Sequence, residues 1–575
     1  MAQPPDSSFV DSFMQHPAAQ RVGAWIQVAT AWIQSAPWWA RALMLTCALS
    51  VPLVLLIRAE LRTSYLQSTL LSRYASGLTY QVDDGPSPSI RFPTSGPFNE
   101  RLGYVALPAF IDSLTQRGRF AIARQARVSD RFATHMDIGL APPYVPKQQT
   151  GLDVLDRTAT PLASARYPQR VYAAPDSIPR LARETLLFIE NRALLGTAPP
   201  RKNPAIEWRR FAYASGRQLS DALGLTEGGP GGSTLATQLD KVRNSPGGQT
   251  AGPMDKLRQM ASASVQSYLH GPETVEARQR LVAEYLNLLP LAAIAGHGEV
   301  NGIGDGLWAW YNTDLDTVNR HLRAADTTAT PSDAQALAYR QVLQLILSTR
   351  SPSRFFQSEA GHEALTELAD AYLPVLAEAG IISPDMRDAA LANRPERRTR
   401  AVAPATESFI ARKAANATRI QLLRALSVPS LPALDRLDLT AHTHYDASAQ
   451  RAVAGLLERL QDPAFVREAG LAGPRMLDRG DPSLVEYAVV LYERDSTANV
   501  VRLQADTFDG PFDINRGSKL ELGSTAKLRT LVTYLELVDE IYDTHAGRPA
   551  DSLRAVPVAT NDALTRWALG ALQRN

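Results

Sequence analysis

Between Ala42 and Ile57 the chain runs for 16 residues, ALMLTCALSVPLVLLI, without a charge. Such a stretch must bury itself in a protein core or in lipid, and no other feature limits the fold as strongly. It is slightly short of the roughly 20 residues that a spanning helix needs. Its flanks extend it: Trp38 and Trp39 precede the run, and Arg41 and Arg58 can reach headgroups on its two sides. Pro52 is tolerated in a membrane helix. No small-residue cleavage site follows, and the positive charge ahead of the run is weak. The expectation is therefore one N-terminal transmembrane helix over residues 38–60, not a removed signal or a buried core helix. Lysine and arginine are too evenly split around it to fix its orientation. Upstream, Trp25 and Trp32 stand among apolar residues, which suggests an interfacial helix within a segment 1–37.

Composition removes several function classes. The 60 basic and 58 acidic residues leave a net charge of +2, so no global field favours nucleic acid and an anionic partner must meet a local patch. The single cysteine, Cys47, lies inside the apolar run, which excludes an intramolecular disulfide and speaks against structural zinc or thiol chemistry. The nine histidines lack any HExxH-like spacing. A length of 575 residues leaves room for several domains.

Periodicity divides the chain behind the anchor. Residues 61–176 are mixed, with Gly, Pro and Ser around Asp84–Pro97, and read as a linker of short strands and loops. From 177 to 400 the apolar residues recur at helical spacing, broken at Gly228–Gly232 and Ser245–Pro253. Residues 401–436 read as a second linker. The last region, 437–575, carries a strand in LDLTAHTHYD and an amphipathic helix over Ser448–Leu460. A hairpin follows in EYAVVLYERDSTANVVRLQAD.

Two local patterns carry chemistry. FIENRALL sets Glu190 in an apolar helical stretch, where partial desolvation would raise the proton affinity of its carboxylate toward that of a useful base. A structural pair with Arg192 is the alternative. In GGSTLATQLDK, Gly231 and Gly232 allow close backbone approach, while Ser233, Thr234 and Gln238 offer neutral hydrogen-bonding groups. Lys241 can meet a phosphate as a point charge. A glycine turn followed by a capped helix would leave the same residues.

These runs occur in order with LVAEYLN at Leu281–Asn287, GHGEVNGIGDGLWAWY at Gly296–Tyr311 and STRSPSRFF at Ser348–Phe356. The order resembles the bacterial family-51 peptidoglycan glycosyltransferases, whose pattern runs E-D-x-x-F, GGST-I-T-Q-Q-L-x-K-N, R-K-x-x-E and ILE-x-YLN. The resemblance covers roughly Ile178–Arg397 and implies a mainly helical, lysozyme-like domain that polymerises lipid II into glycan strands. By the same resemblance Glu190 takes the proton of the acceptor's 4-hydroxyl, and undecaprenyl pyrophosphate leaves with inversion. Gly232, Ser233, Thr234, Gln238, Lys241, Lys256 and Arg258 are the candidate substrate-binding residues, with Lys241 and Lys256 on the pyrophosphate. Members of the family often use a divalent cation, Mg2+ or Mn2+; the sequence fixes no metal site.

The departures are specific. Asn191 stands at the aspartate after the first glutamate and Leu194 at the phenylalanine. DKLRQ at Asp255–Gln259 is the best match to R-K-x-x-E, which places Gln259 at the second catalytic glutamate and Asp255 at the arginine. A glutamine can hydrogen-bond but cannot carry a proton. Arg258 is a candidate for the missing positive charge, and Glu299 and Asp305 are candidates for the missing carboxylate.

ELGSTAK, Glu521–Lys527, contains Ser524-x-x-Lys527, which puts a nucleophile and its base on one helix face. Together with LTAHTHYDASAQRAV it resembles the α/β entry of a penicillin-binding transpeptidase module. The S-x-N and K-T-G elements of that family do not occur before Asn575, so a fragment of a longer protein is expected. The implied setting is the cytoplasmic membrane with the main domains in the periplasm. The implied partners are lipid II, the growing strand, membrane lipid and other wall-building proteins, with no nucleic acid. The rival readings are a catalytically weak lipid II-binding scaffold of the same fold and a lytic enzyme that cleaves glycan.

Overall fold

The computed structural model describes residues 37–574 except 117–119, 195, 197, 209–232, 329, 403–407, 475, 478–479, 520 and 522. The side chains of residues 40–45, 47 and 48 also lie outside the description, as do the N-terminal segment with Trp25 and Trp32, and Gly232. The chain divides into two compact units, one of residues up to 408 with 414–447, the other of 409–413 with 448–575.

In the first unit the apolar run lies in one continuous helix, α1 (Trp38–Thr63), with Pro52 inside it. The helix outlasts its apolar part, because Arg58, Glu60 and Arg62 follow in the same helix. Among the described residues no helix is long and apolar enough to cross a membrane, so the expected span at 38–60 is not supported by the fold itself. Ser64 ends α1 in the left-handed region at φ 56° and is fully buried. Glu60 then accepts from the backbone N–H groups of Leu66 at 2.7 Å and Gln67 at 3.0 Å. These are among the donors that the first turn of α2 (Tyr65–Ala75) leaves without helical partners. Lys202 Nζ donates to Leu61 O at 2.6 Å, so the base of α1 is bonded to the body of the unit.

The segment expected as a linker at 61–176 is ordered around two small sheets. Strands β1 (Tyr80–Asp84) and β2 (Arg124–Val128) pair antiparallel. Leu78, Val128 and Phe132 form a small core beneath them with Val265. Strand β3 (Leu152–Leu155) pairs antiparallel with β4 (Pro161–Ser164). On its other edge β3 pairs in parallel with Leu439–His442. The strand expected to open the C-terminal module is thus part of the first unit's three-stranded sheet.

Between Arg180 and Ala392 the described elements are helices, as the periodicity requires, apart from the hairpin of β5 (Pro290–Ile294) and β6 (Gly298–Asn301). The helices that matter for the site are α3 (Arg180–Glu190), α4 (Leu235–Asn244), α5 (Pro253–Ser267), α6 (Val275–Leu288), α7 (Gly302–Tyr311) and α8 (Asp333–Ser348). Helix α8 is buried on nearly every face from Gln335 to Ser348, and buried polar residues on it are bonded, Arg340 to Ala390 O at 2.6 Å and Gln344 Oε1 by the Tyr311 hydroxyl at 2.8 Å. Ser332 and Gln335 start it with a reciprocal capping box. Leu186, Leu286, Ile303, Trp310, Tyr339 and Leu343 share one continuous core with it. Each such side chain contributes roughly 1.5–3 kcal/mol by leaving water.

The glycines of GHGEVNGIGDG serve packing. Gly302 has φ +80°, and a Cβ there would lie 2.4 Å from Asn287 O. A Cβ on Gly306 would lie 2.5 Å from the Leu291 side chain. The run lets α7 press against the end of α6.

The second unit contains the expected hairpin, Ala488–Arg494 against Asn499–Asp506, in antiparallel register. Lys413 is held there by Asp506 at 2.9 Å and by the carbonyls of Gly510 and Phe512. Helix α9 (Thr525–His545) carries no buried residue.

Candidate active site

Helix α3 delivers Glu190 as its last residue, half-buried. The core face of that helix, with Leu181, Ala182, Leu186 and Leu187 buried, fixes its rotation. Arg192, one possible structural partner, donates from Nε to Phe188 O at 2.9 Å and lies over the Phe188 ring at 3.7 Å.

Helix α4 begins where GGST ends. Thr234 is its N-cap and accepts from Thr237 N, while the Thr237 hydroxyl accepts from Thr234 N at 2.9 Å. That capping box fixes the start of the helix and so the direction of the residues one turn later. Gln238 there donates from Nε2 to Glu190 Oε2 at 3.0 Å. On its far side Gln238 Oε1 accepts from the Tyr285 hydroxyl of α6 at 3.1 Å. Three helices therefore converge on one hydrogen-bonded line, Tyr285 to Gln238 to Glu190. Tyr285 is buried, and burial followed by the nearby Glu190 charge raises its phenol above the usual range.

A cationic pair lies near Ser233. Lys256 Nζ of α5 donates to Ser233 Oγ at 2.7 Å. Burial, then the like charge of Lys241, lowers the Lys256 ammonium from its ordinary value, and Asp240 acts in the opposite direction. Two cations so placed gain from an anion between them. Asp240 itself is pushed up to about 7 by burial, against the hydrogen bond from Asn244 and the charges of Arg243 and Lys256.

The remaining candidates serve other contacts. Gln259 is 2 % exposed and donates from Nε2 to Ser245 Oγ at 2.9 Å and to Thr250 Oγ1 at 3.0 Å. It ties down the turn between α4 and α5. Arg258 pairs with Asp255 at 3.6 Å. Asp305 accepts from the backbone of Gln169 at 2.8 Å and Arg170 at 3.1 Å, so it tethers that segment to α7. Glu299 lies 4.0 Å from Arg101 and 3.8 Å from Arg436. Glu284, one residue past the position of the glutamate in ILE-x-YLN, pairs with Arg243 at 3.0 Å with both side chains buried. Ser524 stands at the N-cap of α9 and Lys527 one turn on, and both are exposed. Tyr285 and Asp240 lie inside motifs visible in the sequence, yet nothing local marks them as part of the site.

A cavity of about 640 Å³ adjoins α3, lined by Ile178, Leu187, Phe188, Arg192, Arg278 and Val282 among others, but not by Glu190 or Gln238. Among the described residues no group of three or more His, Cys, Asp or Glu could hold a metal ion, so no divalent-cation site is assigned.

A family model described as Transglycosylase matches residues 158–373, a range holding Glu190, the GGST run, Tyr285 and α8. This part of the chain is a transglycosylase domain. It is a peptidoglycan glycosyltransferase domain of family 51, and its activity serves cell-wall synthesis. The match covers the helices α3 to α8 and strands β4 to β6 of the transglycosylase domain, and ends inside the helix Glu359–Glu378. No curated protein shows significant similarity to the chain.

Proposed function

We propose that the transglycosylase domain polymerises lipid II, with Glu190 as the base that takes the proton from the 4-hydroxyl of the acceptor sugar. The observation that carries this reading is the hydrogen bond from Gln238 to Glu190, which fixes a half-buried carboxylate beside the GGST-led helix. The hydroxyl oxygen then forms a bond to the anomeric carbon of the donor, whose bond to pyrophosphate breaks, and undecaprenyl pyrophosphate leaves with inversion. Lys241 and Lys256, already close enough to perturb one another, receive the charge that develops on the pyrophosphate. Ser233, bonded to Lys256, lies with them, and Thr234 sets the direction of Gln238 through its cap. Gln259 keeps the second-glutamate position as a hydrogen-bonding group that orders the Ser245–Thr250 turn, with Arg258 at its side. Gly232 belongs to the same run by sequence and lies outside the described residues.

The reading places the protein in the cytoplasmic membrane with its domains in the periplasm. It is supported by α1, which is 26 residues long and exposes Leu53, Val54, Leu55, Leu56 and Ile57. At about 1.5 Å per residue the helix has the length of a spanning helix, while its uncharged part stays short of the roughly 20 apolar residues a span needs. Alkaline carbonate extraction of membranes holding the full chain is expected to leave it in the pellet; release into the supernatant would remove the anchor.

A second reading, a scaffold that binds lipid II or other wall-building proteins without turnover, is favoured by Gln259, which cannot transfer a proton. Incubation with fluorescent lipid II separates the two. Long glycan strands are expected, while binding without strands would establish the scaffold. Fragments released from sacculi would point to a lytic enzyme.

A further inference from the structure

We propose that the cavity beside α3 is an anion site that receives the pyrophosphate of the acceptor lipid II, the molecule whose 4-hydroxyl Glu190 deprotonates. The inference rests on Glu190 acting as that base. The pyrophosphate that leaves the donor falls to Lys241 and Lys256, so the two anions of the reaction are held by separate groups.

The cavity carries an excess of positive charge. The guanidinium groups of Arg183, Arg192 and Arg278 line it, against the carboxylates of Asp176 and Glu184. Glu184 is already paired with Arg180 at 2.5 Å, which leaves Asp176 to balance three cations. Arg278 is 3 % exposed and donates to backbone carbonyls: Leu194 O and Pro199 O at 3.1 Å each, and Thr274 O at 3.4 Å. Carbonyls satisfy its donors without neutralising its charge, and a buried cation gains from an anion brought beside it. Arg192 is turned onto Phe188. Among the described residues the Arg183 side chain forms neither a hydrogen bond nor an ion pair. Its planar fork of donors matches a phosphate group.

Position gives the anion its identity. Arg183, Leu187 and Glu190 follow one stripe of α3, at spacings of four and three residues. Seven residues of helix advance about 10 Å, the scale of two linked sugar rings. A lipid II disaccharide that lies along this stripe with its terminal hydroxyl at Glu190 brings its pyrophosphate to Arg183. The wall formed by Gly196 and Ala198 runs on into Lys202, whose Nζ donates to Leu61 O at the base of α1. Beside it the Arg201 guanidinium lies over the Tyr65 ring at 4.7 Å. With α1 in the membrane, the cavity adjoins the surface from which a prenyl chain must come. Ile178, Leu187 and Val282 supply apolar lining for the first part of that chain. The volume of about 640 Å³ is within the roughly 300–1,000 Å³ usual for a ligand site. A phospholipid headgroup would offer the same phosphate chemistry from the same surface.

Farnesyl pyrophosphate carries the prenyl pyrophosphate group and has no sugar to transfer, so its binding reports on the cavity whether or not the protein polymerises. The full-length protein in phosphatidylcholine vesicles is titrated with the radiolabelled compound, with protein-free vesicles as the blank. It is expected to bind one equivalent at the lysine pair and another in the cavity. Arg183→Gln should weaken the cavity equivalent at least about tenfold and spare the other, and Lys241→Gln should do the reverse. Arg183→Lys, which keeps the charge without the fork, should lie between parent and Arg183→Gln. Arg183 is the residue to change, because Arg278 also holds three carbonyls. In polymerisation Arg183→Gln should raise KM for lipid II about tenfold, the mark of lost binding. A single equivalent in the parent, or a second one untouched by Arg183→Gln, would overturn the proposal. Loss of the Arg183-dependent equivalent on adding phosphatidylglycerol would assign the cavity to a phospholipid headgroup and overturn it too. A parent that makes no strands, or Glu190→Gln that makes them, would sink the reading of Glu190 instead; with both equivalents bound, the cavity would still be a pyrophosphate site.

Discussion

Gln238 Nε2 and Glu190 Oε2 are joined by a hydrogen bond of 3.0 Å across 48 positions of sequence. A donor bonded to a carboxylate holds it in one place and in one orientation. Gln238→Met keeps the bulk and removes the donor. A hydrogen bond to a charged group contributes about 1.5–3 kcal/mol, so kcat should fall between about tenfold and a hundredfold. Initial rates of lipid II polymerisation measure this, and an unchanged kcat would dissociate Gln238 from the chemistry.

Lys256 is lowered first by burial and then by Lys241. Removing Lys241 leaves burial as the one lowering effect, still opposed by Asp240, so Lys256 should hold its proton to higher pH. In Lys241→Gln the alkaline limb of the rate profile is expected to move upward even as kcat/KM falls, about tenfold, through loss of a charge on the pyrophosphate. Rate profiles of parent and variant decide this; a downward move of the limb would show that the two cations do not share one anion.

Asp240 is a buried carboxylate raised to about 7. A raised carboxyl binds its proton more readily in the folded state than in the unfolded chain. Its contribution to stability is therefore complete below the unfolded value near 4 and declines as pH rises to about 7, then levels off. Thermal unfolding of the parent between pH 4 and 8 should show this decline, on the order of a few kcal/mol. Asp240→Asn should flatten it. An identical slope in the variant would assign the decline to other groups.

Ser524 and Lys527 have the spacing of an acylating pair, but both are exposed on a helix without buried residues. A serine becomes nucleophilic when a base is held against it in a shielded site. This chain should therefore resist labelling by a fluorescent penicillin, with Ser524→Ala indistinguishable from the parent. Labelling lost in Ser524→Ala would show that the pair is activated as it stands.

The sequence was most informative where periodicity was long. The helices from Arg180 to Ala392, the helix over Ala447–Arg459 and the hairpin Ala488–Asp506 all lie where spacing of apolar residues placed them. Glu190 and the GGST run were legible because an acid in an apolar helix and paired glycines are local signals. What stayed hidden depends on distant partners. The parallel pairing of Leu152–Leu155 with Leu439–His442 is written in neither strand alone. Asp305 looked like a spare carboxylate, and only the fold shows it bonded to the backbone of Gln169 and Arg170. Gln259 looked like a catalytic position that had lost its charge, whereas its amide orders the turn formed by Ser245 and Thr250. The anchor is a further case. The apolar run reads as a span, but the fold continues its helix through Arg58, Glu60 and Arg62 to Ser64, and Glu60 caps the helix that follows.

The most direct test of the account is a comparison of the full-length protein with Glu190→Gln in lipid vesicles at saturating fluorescent lipid II. Glutamine preserves the shape and the capacity for hydrogen bonding but cannot accept the acceptor's proton. The account predicts glycan strands from the parent and a loss of at least about a hundredfold in kcat in the variant, with binding of lipid II retained. Strands from Glu190→Gln at the parental rate would contradict it.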